Sequence, residues 1–137
     1  MAGPNGTGKT YAALQIFKRN KTLDPQMEDI FITQSELNIL WLEDIEKYGS
    51  TLWRMNQLRN ANIFVLDDLG TRIPTSAFMD FLYAILDYRK TKQKPTIITT
   101  NLNSKTMREQ FGDALVSRIA SEHVIKFEGG DRRFKNF

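Results

Sequence analysis

Apolar residues along the chain fall into long helical stripes alternating with short β-branched runs, punctuated by Gly, Pro and Asp. Lys9 to about Asn20 reads as a helix and Asp29 to Thr33 as a short buried strand, with Asp24-Pro25 marking the turn between them. Thr33-Gln34-Ser35-Glu36 matches a capping box, in which the threonine hydroxyl takes a free amide and the glutamate three residues on reaches back. A helix therefore starts there, with Leu37, Leu40, Trp41 and Ile45 on one face. Tyr48-Gly49-Ser50 breaks it, and a second helix runs from about Thr51 to Arg59. Ile63 to Leu66 is a buried strand. After Pro74 and Ser76, the recurrence of Phe78, Phe81, Leu82, Ile85 and Leu86 is the strongest amphipathic signal, a core stripe ending near Lys92. Pro95 to Thr99 follows as a strand whose proline stands first, where no interior ladder donor is lost. Short helices near Ser104 to Gln110 and Gly112 to Ser121 lead to a last strand, His123 to Phe127. This alternation of helices and strands predicts an α/β layer architecture.

Composition narrows the class. The 137 residues are 41% hydrophobic and 26% charged, an ordinary balance for one globular domain spanning 1–137, without an internal repeat or linker. The absence of cysteine excludes a disulfide framework and a thiolate metal site, and suits a cytoplasmic protein. Apolar runs such as Ile63 to Leu66 fall far short of the roughly 20 residues of a membrane-spanning helix, so no membrane partner is expected. A net charge of +3 permits contact with phosphate backbones but is no nucleic-acid signature by itself. Charge gathers in Asp131-Arg132-Arg133-Phe134-Lys135, which suits contact with nucleic acid or a neighbouring subunit, and equally a frayed polar terminus. His123, the only histidine, has no second histidine or cysteine with which to bind a metal and is assigned no catalytic role.

The chemistry begins with Gly3, Pro4, Asn5, Gly6, Thr7, Gly8, Lys9 and Thr10, which fit the full G-x-x-x-x-G-K-[ST] phosphate-binding pattern. Glycines let successive amides curl around a phosphate, and the helix N-terminus beyond adds a favourable dipole. In this pattern Lys9 neutralises the β and γ phosphates, and Thr10 offers its hydroxyl to Mg²⁺. Ile63-Phe64-Val65-Leu66-Asp67-Asp68 looks like a Walker B strand, delivering acidic side chains beside the nucleotide. Asp67 is expected to hold Mg²⁺ through water, and Asp68 to orient or deprotonate the attacking water. Two aspartates after a strand would alone fit a simple turn. Their pairing with the phosphate loop decides for function.

Together, the phosphate loop, Ile-Phe-Val-Leu-Asp-Asp-Leu-Gly-Thr, Tyr-Arg-Lys, Pro-Thr-Ile-Ile-Thr-Thr-Asn and Val-Ser-Arg-Ile resemble the DnaC/DnaI/IstB group of AAA+ ATPases over nearly the whole chain. The resemblance implies a P-loop NTPase three-layer sandwich without a helical lid, its mainly parallel sheet ordered 5-1-4-3-2. It also implies Mg-dependent ATP hydrolysis, with ATP or ADP and Mg²⁺ bound. Asn101 then corresponds to the sensor 1 position, and Arg118 to an arginine finger acting in trans on a neighbouring subunit's ATP; read from the residues alone, an asparagine in a turn and an arginine in a surface salt bridge also fit. In loaders of this group the partners are replicative helicase and single-stranded DNA. DNA contact is expected at the backbone, since no helix-turn-helix or zinc pattern is present. An IstB-like transposition helper would share every motif. A non-catalytic interaction module, anchored by Trp41, Trp53 and Phe137, is the reading from another class. Family cores begin with a hydrophobic strand leading into the phosphate loop, whereas only Met1 and Ala2 precede Gly3, so that first strand is expected to be missing.

Overall fold

Each short β-branched run is followed by enough helix to carry the chain back, which allows the runs to pair in parallel. The computed structural model describes residues 8–19 and 28–120. In chain order they form α1 (Lys9–Arg19), β1 (Ile30–Thr33), α2 (Gln34–Tyr48), α3 (Leu52–Asn60) and β2 (Phe64–Leu69), then α4 (Ser76–Thr91), β3 (Thr96–Thr100), α5 (Ser104–Phe111) and α6 (Asp113–Ala120). The described strands make one parallel sheet in the order β1-β2-β3. Counting the strand expected before the phosphate loop as first in the family order, β1, β2 and β3 stand second, third and fourth, and their arrangement matches its 4-3-2 portion.

Side-chain alternation sends the strand residues to two cores. Ile32, Phe64, Leu66 and Ile98 meet Leu37 and Trp41 of α2, Phe78, Phe81, Leu82 and Ile85 of α4, and Leu115 and Val116 of α6. Ile63 and Val65, with Phe31 and Ile97, meet Ala13 and Phe17 of α1 on the opposite face. Helices thus cover both faces, as the three-layer reading requires. The α4 stripe is core as expected, and Trp41 packs edge-on against Phe78 at 5.4 Å between ring centroids.

Helix entries follow the polar residues that precede them. Thr33, Thr75 and Asn103 each accept the amide of the residue three positions on. At Thr33 the capping box closes differently from expectation: its hydroxyl also donates to the Glu36 carboxylate at 3.1 Å, so the glutamate answers the hydroxyl. Gly49, at φ 66°, ends α2 with its amide on the Ile45 carbonyl, a left-handed cap that glycine adopts without penalty.

Some boundaries and faces differ from the sequence reading. Ile45 is 42% exposed, because α2 turns Gln34, Leu37, Trp41 and Asp44 inward instead. The buried Asp44 carboxylate is satisfied by Arg54 of α3, at 2.9 and 3.2 Å. β2 continues three residues beyond Leu66, and β3 starts after Pro95, whose carbonyl still accepts the Phe64 amide at 3.2 Å. The Asp24-Pro25 turn, the His123 to Phe127 strand and the charged cluster at 131–135 lie outside the described residues.

Arg89, near the end of α4, is fully buried without a carboxylate partner among its hydrogen bonds. Nη1 donates to the carbonyls of Leu58 (3.0 Å), Arg59 (3.3 Å) and Ala61 (2.7 Å), and Nη2 to those of Asn62 (3.4 Å) and Pro95 (2.7 Å). Nε donates to Thr96 Oγ1 at 2.8 Å. The guanidinium caps the C-terminal carbonyls of α3, where the helix dipole is negative, and ties them to the start of β3. Burial pushes its pKa down to about 10, which leaves it charged at neutral pH.

Candidate nucleotide site

The site forms where β2 and β3 end beside the start of α1. Leu66 pairs with Ile98 and Leu69 with Thr100, so Asp67 and Asp68 together oppose Thr99 and the ladder bulges. Asp68 takes a left-handed φ of 55°, a conformation that aspartate tolerates better than most residues. Thr99, fully buried, donates to Asp67 Oδ1 at 2.5 Å and accepts the Asp68 amide at 2.9 Å. Thr10, in the first turn of α1, donates to the same Asp67 carboxylate at 3.0 and 3.2 Å.

Lys9 is buried at the head of α1, and burial lowers its pKa against the opposing pull of Asp68 and Asp67. Burial is also the main cause that raises the Asp68 pKa, reinforced by Asp67 and countered by Lys9. A lysine, a threonine hydroxyl and two carboxylates therefore share one electrostatic environment. Gly8 stands at φ 89° with its carbonyl accepting the Ala12 amide at 2.9 Å, which opens α1 toward the site. A hydroxyl and a carboxylate within hydrogen-bond reach are hard oxygen donors of the kind Mg²⁺ takes when phosphates and water complete its shell. Among the described residues no group of three or more His, Cys, Asp or Glu could hold a metal ion. A buried ammonium at a helix N-terminus suits phosphate.

Of the residues picked out in the sequence, the structure brings together Lys9, Thr10, Asp67 and Asp68. Gly3, Pro4, Asn5, Gly6 and Thr7 lie outside the described residues. Asn101 is half-buried immediately after β3, the strand that pairs with the one carrying the aspartates. Arg118 sits on α6, where Nε meets Asp87 Oδ1 at 3.1 Å and the Tyr83 hydroxyl at 3.3 Å, both on α4. Its side chain is 38% exposed. The Tyr83 hydrogen bond and Asp87 raise its pKa further, so it stays cationic. Of the proposed interaction anchors, Trp41 is core, Trp53 is 67% exposed with the Arg54 guanidinium over its ring, and Phe137 lies outside the described residues.

Sequence reasoning missed two residues that shape this site. Thr99 could have been found from its position opposite the two aspartates once the strands were paired. Gln34 carries no sequence signal beyond opening a helix, yet it is fully buried, accepting the Gly70 amide at 2.6 Å and donating to the Arg72 carbonyl at 3.1 Å. It fixes the chain that leaves the aspartates. Gly70, at φ 100°, packs so closely on Leu102 that a Cβ would collide with it.

A parallel sheet covered on both faces, with the lysine and threonine of a phosphate loop against strand-end aspartates, defines a P-loop AAA+ domain. Within that class, the IstB-like ATP binding protein family matches residues 1–136, and the chain belongs to it. The replicative helicase loader DnaC of Escherichia coli K12 is 24% identical over 119 residues, 86% of this chain and 48% of that protein. The chain thus spans about half the length of the curated relatives it matches. A crystal structure of the DnaC helicase loader aligns with a TM-score of 0.76 at 25% identity, over 93% of this chain and 76% of that one. AMPPCP-bound DnaA from Aquifex aeolicus aligns with a TM-score of 0.83 at 20% identity, over 98% of this chain and 41% of that one, a likeness of fold. No helix among the described residues is long and apolar enough to cross a membrane.

Proposed function

We propose that the chain is the ATP-binding and hydrolysing core of a helicase loader that helps to place replicative helicase on single-stranded DNA in a bacterial cytoplasm. The observation that carries the nucleotide part of this reading is the meeting of Thr10 with Asp67, which joins the phosphate-loop helix to the acidic strand end; the loader part is supported by the likeness to DnaC. On this reading the amides of Gly3 to Gly8 and the start of α1 receive the phosphates, and Lys9 neutralises them. Thr10 and Asp67 would hold Mg²⁺, the aspartate through water. Bound MgATP supplies the phosphoryl group and the cation's polarising charge. Asp68, whose raised pKa favours accepting a proton, orients the attacking water. Asn101 steadies the water or the γ-phosphate, and Arg118 serves a neighbouring subunit's site.

Membership of the IstB-like family favours a second reading, a transposition helper with the same ATP chemistry. The two separate by partner. Mixed with MgATP and either a replicative helicase or a transposase, the protein is expected to co-elute with the helicase and to promote its retention on single-stranded DNA. The retention should weaken as salt rises, because backbone contacts release counterions. Co-elution with the transposase alone would favour the helper and overturn the loader.

A further inference from the structure

Thr99 lies outside the set of residues to which the nucleotide chemistry was assigned, yet it touches both aspartates of that set. A regular strand would point Asp67 and Asp68 to opposite faces, because side chains alternate with a period of two. The bulge and the left-handed Asp68 break that alternation at the two residues opposite Thr99. A hydroxyl has one proton to give and lone pairs to receive. Thr99 gives its proton to Asp67 Oδ1 and receives the Asp68 amide, so one buried side chain holds a carboxylate oxygen of the first aspartate and the backbone of the second. Its neighbour Thr100 has different work, donating to the Leu69 carbonyl at 2.6 Å and accepting the Leu102 amide at 3.1 Å.

We infer that Thr99 is a positioning residue for the nucleotide site, setting the orientation of Asp67 toward the Mg²⁺ of a bound nucleotide and of Asp68 toward the attacking water. The inference rests on the proposed ATPase reading and deepens it. Loss of a hydrogen bond that orients a metal-binding carboxylate commonly lowers metal affinity or activity by about 10- to 100-fold. A buried threonine with a purely structural role would change thermal stability and leave the Mg²⁺ dependence of nucleotide binding untouched.

The test compares wild type, Thr99→Val and Thr99→Ser by titration calorimetry with ADP, in Mg²⁺ and in chelator, and by steady-state ATP hydrolysis. Thr99→Val keeps the threonine shape and loses the hydroxyl; should it fail to fold, Thr99→Ala replaces it. Affinity for ADP in chelator is expected to stay within about 2-fold of wild type, while the enhancement by Mg²⁺ and kcat each fall by about 10-fold or more. KM is expected to move less than kcat, and Thr99→Ser to restore both. A wild-type Mg²⁺ dependence and kcat in Thr99→Val, or a serine variant as impaired as the valine one, overturns the inference. Wild-type protein that binds no ADP in either condition overturns the nucleotide reading and this inference with it.

Discussion

Arg89→Ala is expected to lower the unfolding free energy by about 3 kcal/mol or more, since each buried carbonyl left unsatisfied costs about 1–3 kcal/mol before the backbone relaxes. The loss would be a large share of the stability of a domain of this size, roughly 5–15 kcal/mol. The reason lies in what remains behind. Five backbone carbonyls, those of Leu58, Arg59, Ala61, Asn62 and Pro95, take hydrogen bonds from this one guanidinium. Those of Leu58 and Arg59 belong to the last turn of α3, which has no intrahelical donor to offer them. Arg89→Lys should recover only part of the loss, since an ammonium has three donors at one point and cannot span this set. Urea denaturation checks both variants. A loss below about 1 kcal/mol for Arg89→Ala would show that the surrounding backbone finds other partners.

If Arg118 acts as the proposed arginine finger, Arg118→Ala is expected to remove about 10³-fold or more of any ATPase rate that assembly stimulates. Its guanidinium is already presented from α6 with Nε held by Asp87 and Tyr83, which limits the conformational freedom lost when a neighbour's phosphate is engaged. Mixing resolves whether it acts across subunits. A Lys9→Ala protein lacks a working phosphate site but retains the arginine, whereas Arg118→Ala has the opposite defect. Equal amounts of the two should hydrolyse ATP faster than either alone, because some interfaces then combine an intact site with an intact finger. A mixture no faster than its components contradicts action in trans.

The described part of the fold was largely legible because its local signals agree with its packing. Capping residues precede α2 and α5, the Phe78 to Leu86 stripe marks α4, and β-branched runs mark the three strands. What escaped depends on contacts between distant segments. Arg89 belongs to the Tyr-Arg-Lys motif that carried the family resemblance, but its role depends on five carbonyls spread from residue 58 to residue 95. Asp44 displaced Ile45 from the buried face because Arg54 on the following helix satisfies its charge. The continuation of β2 through Asp67 and Asp68 required a bulge, and a bulge leaves no mark in hydrophobic period. In the site, Lys9, Thr10, Asp67 and Asp68 could be paired from motif spacing alone. Thr99 could be found only after the register placed it opposite the aspartates.

The most direct test of the account is titration calorimetry of the chain with MgATP and MgADP, with Lys9→Ala as the control. The buried Lys9 beside Asp67 and Asp68 predicts saturable binding in wild type. The lysine variant should bind at least about 100-fold more weakly, as expected when a charge-assisted phosphate contact is lost in a desolvated site. No saturable binding by wild type, or equal binding by Lys9→Ala, would contradict the assignment of this site to nucleotide.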